Sequence, residues 1–446
     1  GAEAIRMAIA DMGGAVAGKK IELLVADHQN KADVAASKAR EWFDQQGLDM
    51  LIGGTNSGTA LAMAKVAAEK KKPFLAIGPG SSALTSEQCS PYTVHYAYDT
   101  VALAKNTGPA VVKAGGKTWF FLTADYAFGT ALQNDTSEAV KAAGGTIVGS
   151  VRAPLATSDF SSYMLQAQAS KAQILGLANA GGDTVNSIKA ANEFGVTKTM
   201  KLAGLLMFIN DIHSLGLKAT QGMYLTDSWY WNQSPESRAW SKKFFEKFKR
   251  MPSSLQAADY SVTQFYLNAV KAANSDDGDK VMEQMKKMKV NDMYAKNGYI
   301  RGDGSMIHDM YLLQVKTPAA STTPWDDFNV VPTAKGEGAF LTKAESKWPA
   351  SKSPCRAGGA APQPVRCPAS WCVRRTTGLP FGRWTSSWRA ASVGSSARNG
   401  AWQWAQHIGR AITVSSGFSA SSRPPPFRPR LPMRGPSRLG LLARLA

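Results

Sequence analysis

Five short segments carry side chains whose types and spacing could grip a small molecule. GGTNSGTALAM sets Thr55, Asn56 and Ser57 ahead of an apolar, helix-periodic run. These are N-cap residues, and the unpaired amides and dipole of a helix start suit a carboxylate or another acceptor group. Gly58 permits close approach to the backbone, and the lack of a Lys after it excludes a nucleotide phosphate loop. GPGSSALT offers Gly80, Ser81 and Ser82 as small donors with exposed amides, and it reads equally as an ordinary turn. TADYAFG carries Asp125, Tyr126 and Phe128, aromatics able to wall an apolar pocket with a polar handle. ANAGGDT places Asn179 and Asp183 beside two glycines, with Asp183 also a natural helix cap. TDSWYW crowds Trp229, Tyr230 and Trp231 at the end of a strand, and three aromatics together read as a binding surface.

These groups bind; they do not assemble a reaction. The five histidines (His28, His95, His213, His308 and His407) are scattered and none adjoins a nucleophile motif. No GxSxG, HExxH or dinucleotide GxGxxG stands at a strand–helix junction. No Cys/His spacing matches a metal site, so no cofactor and no metal is expected. Cys89 is alone in the first 350 residues, and the other three cysteines follow residue 351.

The elements that must position the five segments alternate between strand and helix. KIELLVADHQ, DMLIGG, PFLAIG, TWFFLTA, GTIVGSV, AQILGLAN, MKLAGLL and GMYLTDS are short apolar runs separated by helical segments of about a dozen residues. That grammar is βαβ, with parallel sheets buried on both faces. So many strands exceed one comfortable sheet, which argues for two sheets and two lobes. Each segment then falls where a strand runs into a helix, the place where open α/β sheets bind ligands. Farther on come two helices, SPESRAWSKKFFEKFKR and LQAADYSVTQFYLNAVKAA, then a hairpin turning at Gly302–Gly304.

The net charge of +19 is confined to one end. Residues 351–446 hold 14 Arg and one Lys without an acid, while the first 350 carry a net +4. The body is therefore mildly basic, and its charge gives no reason to expect nucleic acid. The tail SSRPPPFRPR and its surroundings show no sustained period. As a functional element it would be a basic arm for nucleic acid or anionic lipid; the reading preferred here is a low-order tail, disordered or translated out of frame. No apolar run reaches the roughly 18–20 residues of a membrane span.

Taken in order, AEAIRMAIADMGG, LIGGTNSGTALAMAKVAAEKKKPFLAIGPGSSALT, DYAFG and AADYSVTQFYLNAVKAA resemble the periplasmic solute-binding proteins of branched-chain amino acid ABC transporters, with their amide- and aromatic-acid-binding relatives. The resemblance covers residues 1–345. It implies a type I binding-protein fold: two α/β lobes, each a mostly parallel sheet flanked by helices, joined by three crossing strands. Lobe one would hold 1–116 and 234–292, and lobe two 117–233 and 293–345. The chain opens inside a helix, so the resemblance places the first strand of lobe one, one ligand-contacting loop and a signal peptide ahead of residue 1. Without that central strand, neighbouring sheet edges would be exposed.

The resemblance further implies a monomeric, extracytoplasmic receptor that closes on a small organic solute and presents it to a membrane permease. A ligand-sensing domain of a regulatory protein would share these lobes. Ser57 and Gly80–Ser82 match the family's carboxylate-holding positions, and Phe128, with Tyr126 close by, its aromatic wall. The fourth loop matches at Asn179–Asp183, and Trp229 is expected as a second-lobe wall. Amino acid binders hold the ligand's ammonium with an acid after the strand matching MKLAGLL; here that stretch is Gly204–Met207, without an acid. Unless Asp183 or Asp227 substitutes, the expected ligand is a carboxylate, amide or aromatic acid, since an unpaired buried ammonium costs several kcal/mol.

Overall fold

The computed structural model describes residues 1–331 and 334–342, together with the backbone of Leu441–Leu445. The chain divides into two compact units, 1–358 with 437–446, and 359–436; the second lies outside the described residues.

Lobe one begins with α1 (Ala2–Asp11), a small hairpin of β1 (Ala15–Val16) and β2 (Lys19–Lys20), and β3 (Glu22–Ala26). It continues through α2 (Ala32–Gln45), β4 (Leu48–Gly53), α3 (Ser57–Lys70), β5 (Phe74–Ala76) and β6 (Thr93–His95). β4 is buried at every residue, which is why LDMLIG is a near-continuous run: helices cover both faces of a parallel sheet. α3 starts where Asn56 caps it, its side chain accepting from Gly58 N and Thr59 N.

Lobe two runs α4 (Thr100–Lys113), β7 (Thr118–Ala124), α5 (Ala127–Ala142), β8 (Thr146–Ala153), α6 (Ser161–Ala169), β9 (Ile174–Ala178), α7 (Gly182–Glu193), β10 (Lys201–Gly204), α8 (Ile209–Leu215), α9 (Leu217–Thr220) and β11 (Tyr224–Asp227). Four of these strands form the parallel sheet β10-β9-β7-β8. The chain then returns to lobe one for α10 (Pro235–Phe248), α11 (Ser254–Ala273), α12 (Gly278–Lys287) and a hairpin, β12 (Tyr299–Ile300) with β13 (Met306–Ile307). A capping box between Ser253 and Gln256 starts α11, and Asn274 ends it in the left-handed region. Finally β14 (Tyr311–Val315) and β15 (Phe328–Val330) join β11 in an antiparallel three-stranded sheet.

Both expected lobe boundaries move. α4, assigned by sequence to lobe one within 1–116, packs on α5 and β11, and the Thr107 and Thr226 hydroxyls lie 2.8 Å apart. Its apolar positions face the second sheet, so lobe two begins near Thr100. The hairpin at 299–307, assigned to lobe two, belongs to lobe one: His95 N donates to Gly304 O at 2.9 Å. The buried Arg301 binds Asp303 there and reaches Glu337 and Leu341 O, drawing 336–341 back against the hairpin. YLLQV lies outside that hairpin; as β14 it pairs antiparallel with β11. Among the described residues the lobes are linked near 96–99, 228–234 and 308–310, with a further return after β15.

The end of the chain supplies the largest correction. Leu441–Leu445 forms β16, which lies parallel between β3 and β4 in the order β3-β16-β4-β5-β6. The sheet edges expected to be bare are paired. The rest of the basic tail falls outside the described residues. Cys89, alone by sequence in the first 350 residues, is disulfide-bonded. Among the described residues no helix is long and apolar enough to cross a membrane.

Candidate functional site

The loop after β5 is held from every side. Ser57 stands in the first turn of α3, freed from capping because Asn56 does that work, and its Oγ accepts from Ser81 N at 3.1 Å. Tyr98 Oη donates to Gly78 O at 2.9 Å. His95 Nε2 donates to Pro79 O at 2.6 Å; burial depresses its pKa to about 4, so the ring is neutral and this nitrogen carries the proton. Thr100 N donates to Gly80 O at 2.7 Å, and Thr100 Oγ1 accepts from Ser82 N at 3.2 Å. A loop so determined is pre-organised: its shape costs little to keep when a ligand arrives.

Lobe two meets it at the start of α5. A Cβ built on Gly80 would stand 2.7 Å from the Phe128 ring, so glycine is what lets that ring come this close to the loop. Ser82 Oγ donates to Asp135 Oδ2 at 3.2 Å, a tie between the lobes. Burial raises the Asp135 pKa, with the Thr100 and Ser82 hydroxyls opposing the shift. Tyr126 precedes α5, its ring 5.8 Å from that of Phe128. Its hydroxyl pKa is raised first by burial and then by the nearby Asp183. Gly129 lets the first turn of α5 press on β7, since a Cβ there would meet Ala124 O.

The structure thus gathers Ser57, Gly80, Ser81, Ser82, Tyr126 and Phe128 as a candidate cleft where the lobes meet, with Asp183 near Tyr126, while two expected residues turn elsewhere. Asn179 accepts from Thr184 Oγ1 at 2.7 Å and donates to Ser187 Oγ at 2.9 Å, fixing β9 to α7. Trp229, expected as a second-lobe wall, is 2 % exposed, packs edge-on to Trp240 of lobe one and donates its indole N–H to Met293 O. Its neighbours diverge too: Tyr230 packs on Phe328, and Trp231 donates to Trp325 O. The aromatic run is the packing of a hinge crossing.

Sequence reasoning missed Asp135, Tyr98, His95 and Thr100. Asp135 sits within α5, where an acid reads as a solvated helix face. Thr100 and Tyr98 stand in a crossing that looks like ordinary helix entry. After β10, where the resemblance places the partner of an ammonium, no acid appears. Leu205, Leu206 and Met207 are buried apolar residues. Asp183 accepts from Ala156 N at 3.1 Å. Asp227 accepts from Ser228 N at 2.7 Å, and burial pushes its pKa up to about 7. Among the described residues no three His, Cys, Asp or Glu side chains converge as a metal site would require.

Residues 1–322 match the model of a family described as periplasmic binding protein. The chain belongs to the periplasmic binding protein family. A periplasmic binding protein from Burkholderia mallei is 68% identical, with a TM-score of 0.77 over 78% of this chain and 93% of that one. A branched chain amino acid ABC transporter periplasmic ligand-binding protein from Burkholderia xenovorans LB400 is 38% identical, with a TM-score of 0.69 over 77% and 92%. Among curated proteins, Leu/Ile/Val-binding protein homolog 6 of Brucella melitensis is 26% identical over 252 residues, which are 54% of this chain and only 62% of that relative's length. These binding-protein relatives are substrate-binding transporter proteins, not enzymes.

Proposed function

We propose that the chain is the periplasmic ligand-binding component of an ABC importer, taking a small organic solute between its lobes and delivering it to a membrane permease. The observation that carries this reading is the apposition of two loops: a pre-organised 78–82 backbone on lobe one, and Phe128 with Asp135 facing it from lobe two. A hinged molecule with its small donors on one side and its aromatic wall on the other gains contacts to both only when closed. A ligand bridging them favours closure by its differential affinity for the two states.

The ligand we infer is a carboxylate, amide or aromatic acid rather than a zwitterionic amino acid. Ser57 Oγ and the Ser81 amide already form a donor–acceptor pair into which a carboxylate oxygen could insert. Gly204–Met207 offers an ammonium nothing, and Asp227 is a poor anion near neutral pH.

A thermal melt of the full chain against branched-chain and aromatic amino acids, aromatic acids, short carboxylates and amides tests both statements. A ligand at 100 times its Kd adds roughly 2.7 kcal/mol and raises the midpoint by about a few degrees. Shifts with acids or amides and none with leucine or valine are expected. A shift with leucine keeps the receptor and removes the ligand argument; a cooperative melt that nothing in the panel shifts counts against the receptor.

A further inference from the structure

Lobe two contains a second concavity, away from the cleft. Its sheet is broken: β10 is hydrogen-bonded only to β9, and β11 only to β14, so the two strands stand side by side in different sheets. At their starting ends they part around a cavity of about 500 Å³. Lys201 opens β10 and Tyr224 opens β11, with Gln314 facing Tyr224 in register. The lobe-two cleft loops follow the carboxyl ends of β7 and β9, the opposite end of the same parallel sheet, and none of the cleft residues described above lines this cavity.

Its chemistry is one-sided. The floor is apolar, with Ile174, Leu202 and Met223 all buried. The charged residues lining it are Lys201 and Lys218, and no Asp or Glu joins them. Among the described residues neither lysine has an ion-pair partner. Gln221, Gln314 and Tyr224, which also line it, are residues with neutral hydrogen-bonding groups. The volume lies in the range of small-molecule sites, which are mostly apolar with a few converging polar groups.

We propose that this cavity is a second binding site, taking a small organic anion with an apolar body. The body lies on Ile174, Leu202 and Met223, and the anionic head faces the two lysines. Such a ligand spans the gap between β10 and β11 that the backbone leaves unbonded.

The test is a calorimetric titration of the full chain with octanoate at low salt, with octan-1-ol as the uncharged control. Saturable one-site binding of octanoate, at least tenfold tighter than that of the alcohol, is expected. Lys201→Glu with Lys218→Glu should weaken it at least tenfold. Ala219→Trp, which fills the cavity from its α9 wall, should abolish it while a cooperative melt is retained. Phe128→Ala, in the cleft, should leave the Kd within about twofold. Absence of saturable octanoate binding overturns the proposal, as does binding indifferent to the lysine and tryptophan changes. Loss of binding in Phe128→Ala moves the octanoate to the cleft and overturns it as well, and equal binding of the alcohol overturns the anion.

Discussion

The loop at 78–82 and the segment at 227–231 both follow a strand's carboxyl end, yet they do opposite things. The first is built of Gly, Pro and Ser, and hydrogen bonds from Ser57, His95, Tyr98 and Thr100 hold it so that its surface stays available to the other lobe. The second is built of large aromatics, and each of Trp229, Tyr230 and Trp231 spends its face on packing and its polar atom, where bonded, on a backbone carbonyl. Aromatic side chains bring much apolar area, and burying it is worth more at a crossing that must hold two lobes together than in an open wall. Small residues fixed by bonds make a receptor surface; large ones fixed by contact make a joint.

The comparison is most exposed at Trp229. Trp229→Ala should cost about 3–5 kcal/mol of stability, read by denaturant unfolding, with little change in the cleft's response to the ligand panel in the folded fraction. A large loss of ligand response without loss of stability would return Trp229 to the cleft. Gly80→Val should cost about 1–3 kcal/mol through overpacking against Phe128. It should also open the lobes, visible as a larger radius of gyration in X-ray scattering. Adding Phe128→Ala should restore the smaller radius; failure to do so would mean that the ring does not set the closed distance.

The smallest effect separates the two regions by pH. Asp227, at the head of the crossing, has its pKa pushed from 3.8 to about 7, chiefly by burial, against the hydrogen bonds it accepts from Ser228. Folded protein therefore binds more protons than unfolded between those values, and stability falls as pH rises through that window. Asp99 acts in the same direction, while His95 beneath the loop, depressed to about 4, acts in the other. Asp227→Asn should flatten the dependence of Tm on pH between about 4 and 7 by a few degrees relative to the wild type. A difference between the two proteins that does not vary with pH would contradict the assignment.

How much could be read beforehand follows from range. Strand and helix positions follow the apolar period, so β4, β7 and β9 and the helices between them stand where DMLIGG, TWFFLTA and AQILGLAN place them. Ser57, Gly80–Ser82, Tyr126 and Phe128 stand out as candidates in the sequence because a ligand loop after a strand has its own composition, and they also lie near one another in space. Lobe membership was not: α4 and the 299–307 hairpin are ordinary amphipathic elements, and only the sheet each faces decides where it belongs. Asp135 was silent for the same reason, since its partner Ser82 lies on the other lobe. GLLARLA gives no signal in the sequence, because a short apolar run has no period of its own and only partner strands make it β16.

That strand sets an order of events. β3 and β4 are translated early, yet the strand that pairs with both is made after every other described element. Until it arrives, each presents a row of unpaired amides and carbonyls, the kind of edge that recruits other chains. The four parallel strands of lobe two, β7 to β10, lie close together in sequence and can pair as they emerge. Lobe one, carrying the most non-local closure in the molecule, finishes last and slowest, so the interval before residues 441–445 dock is when a nascent chain is most open to aggregation or to a chaperone.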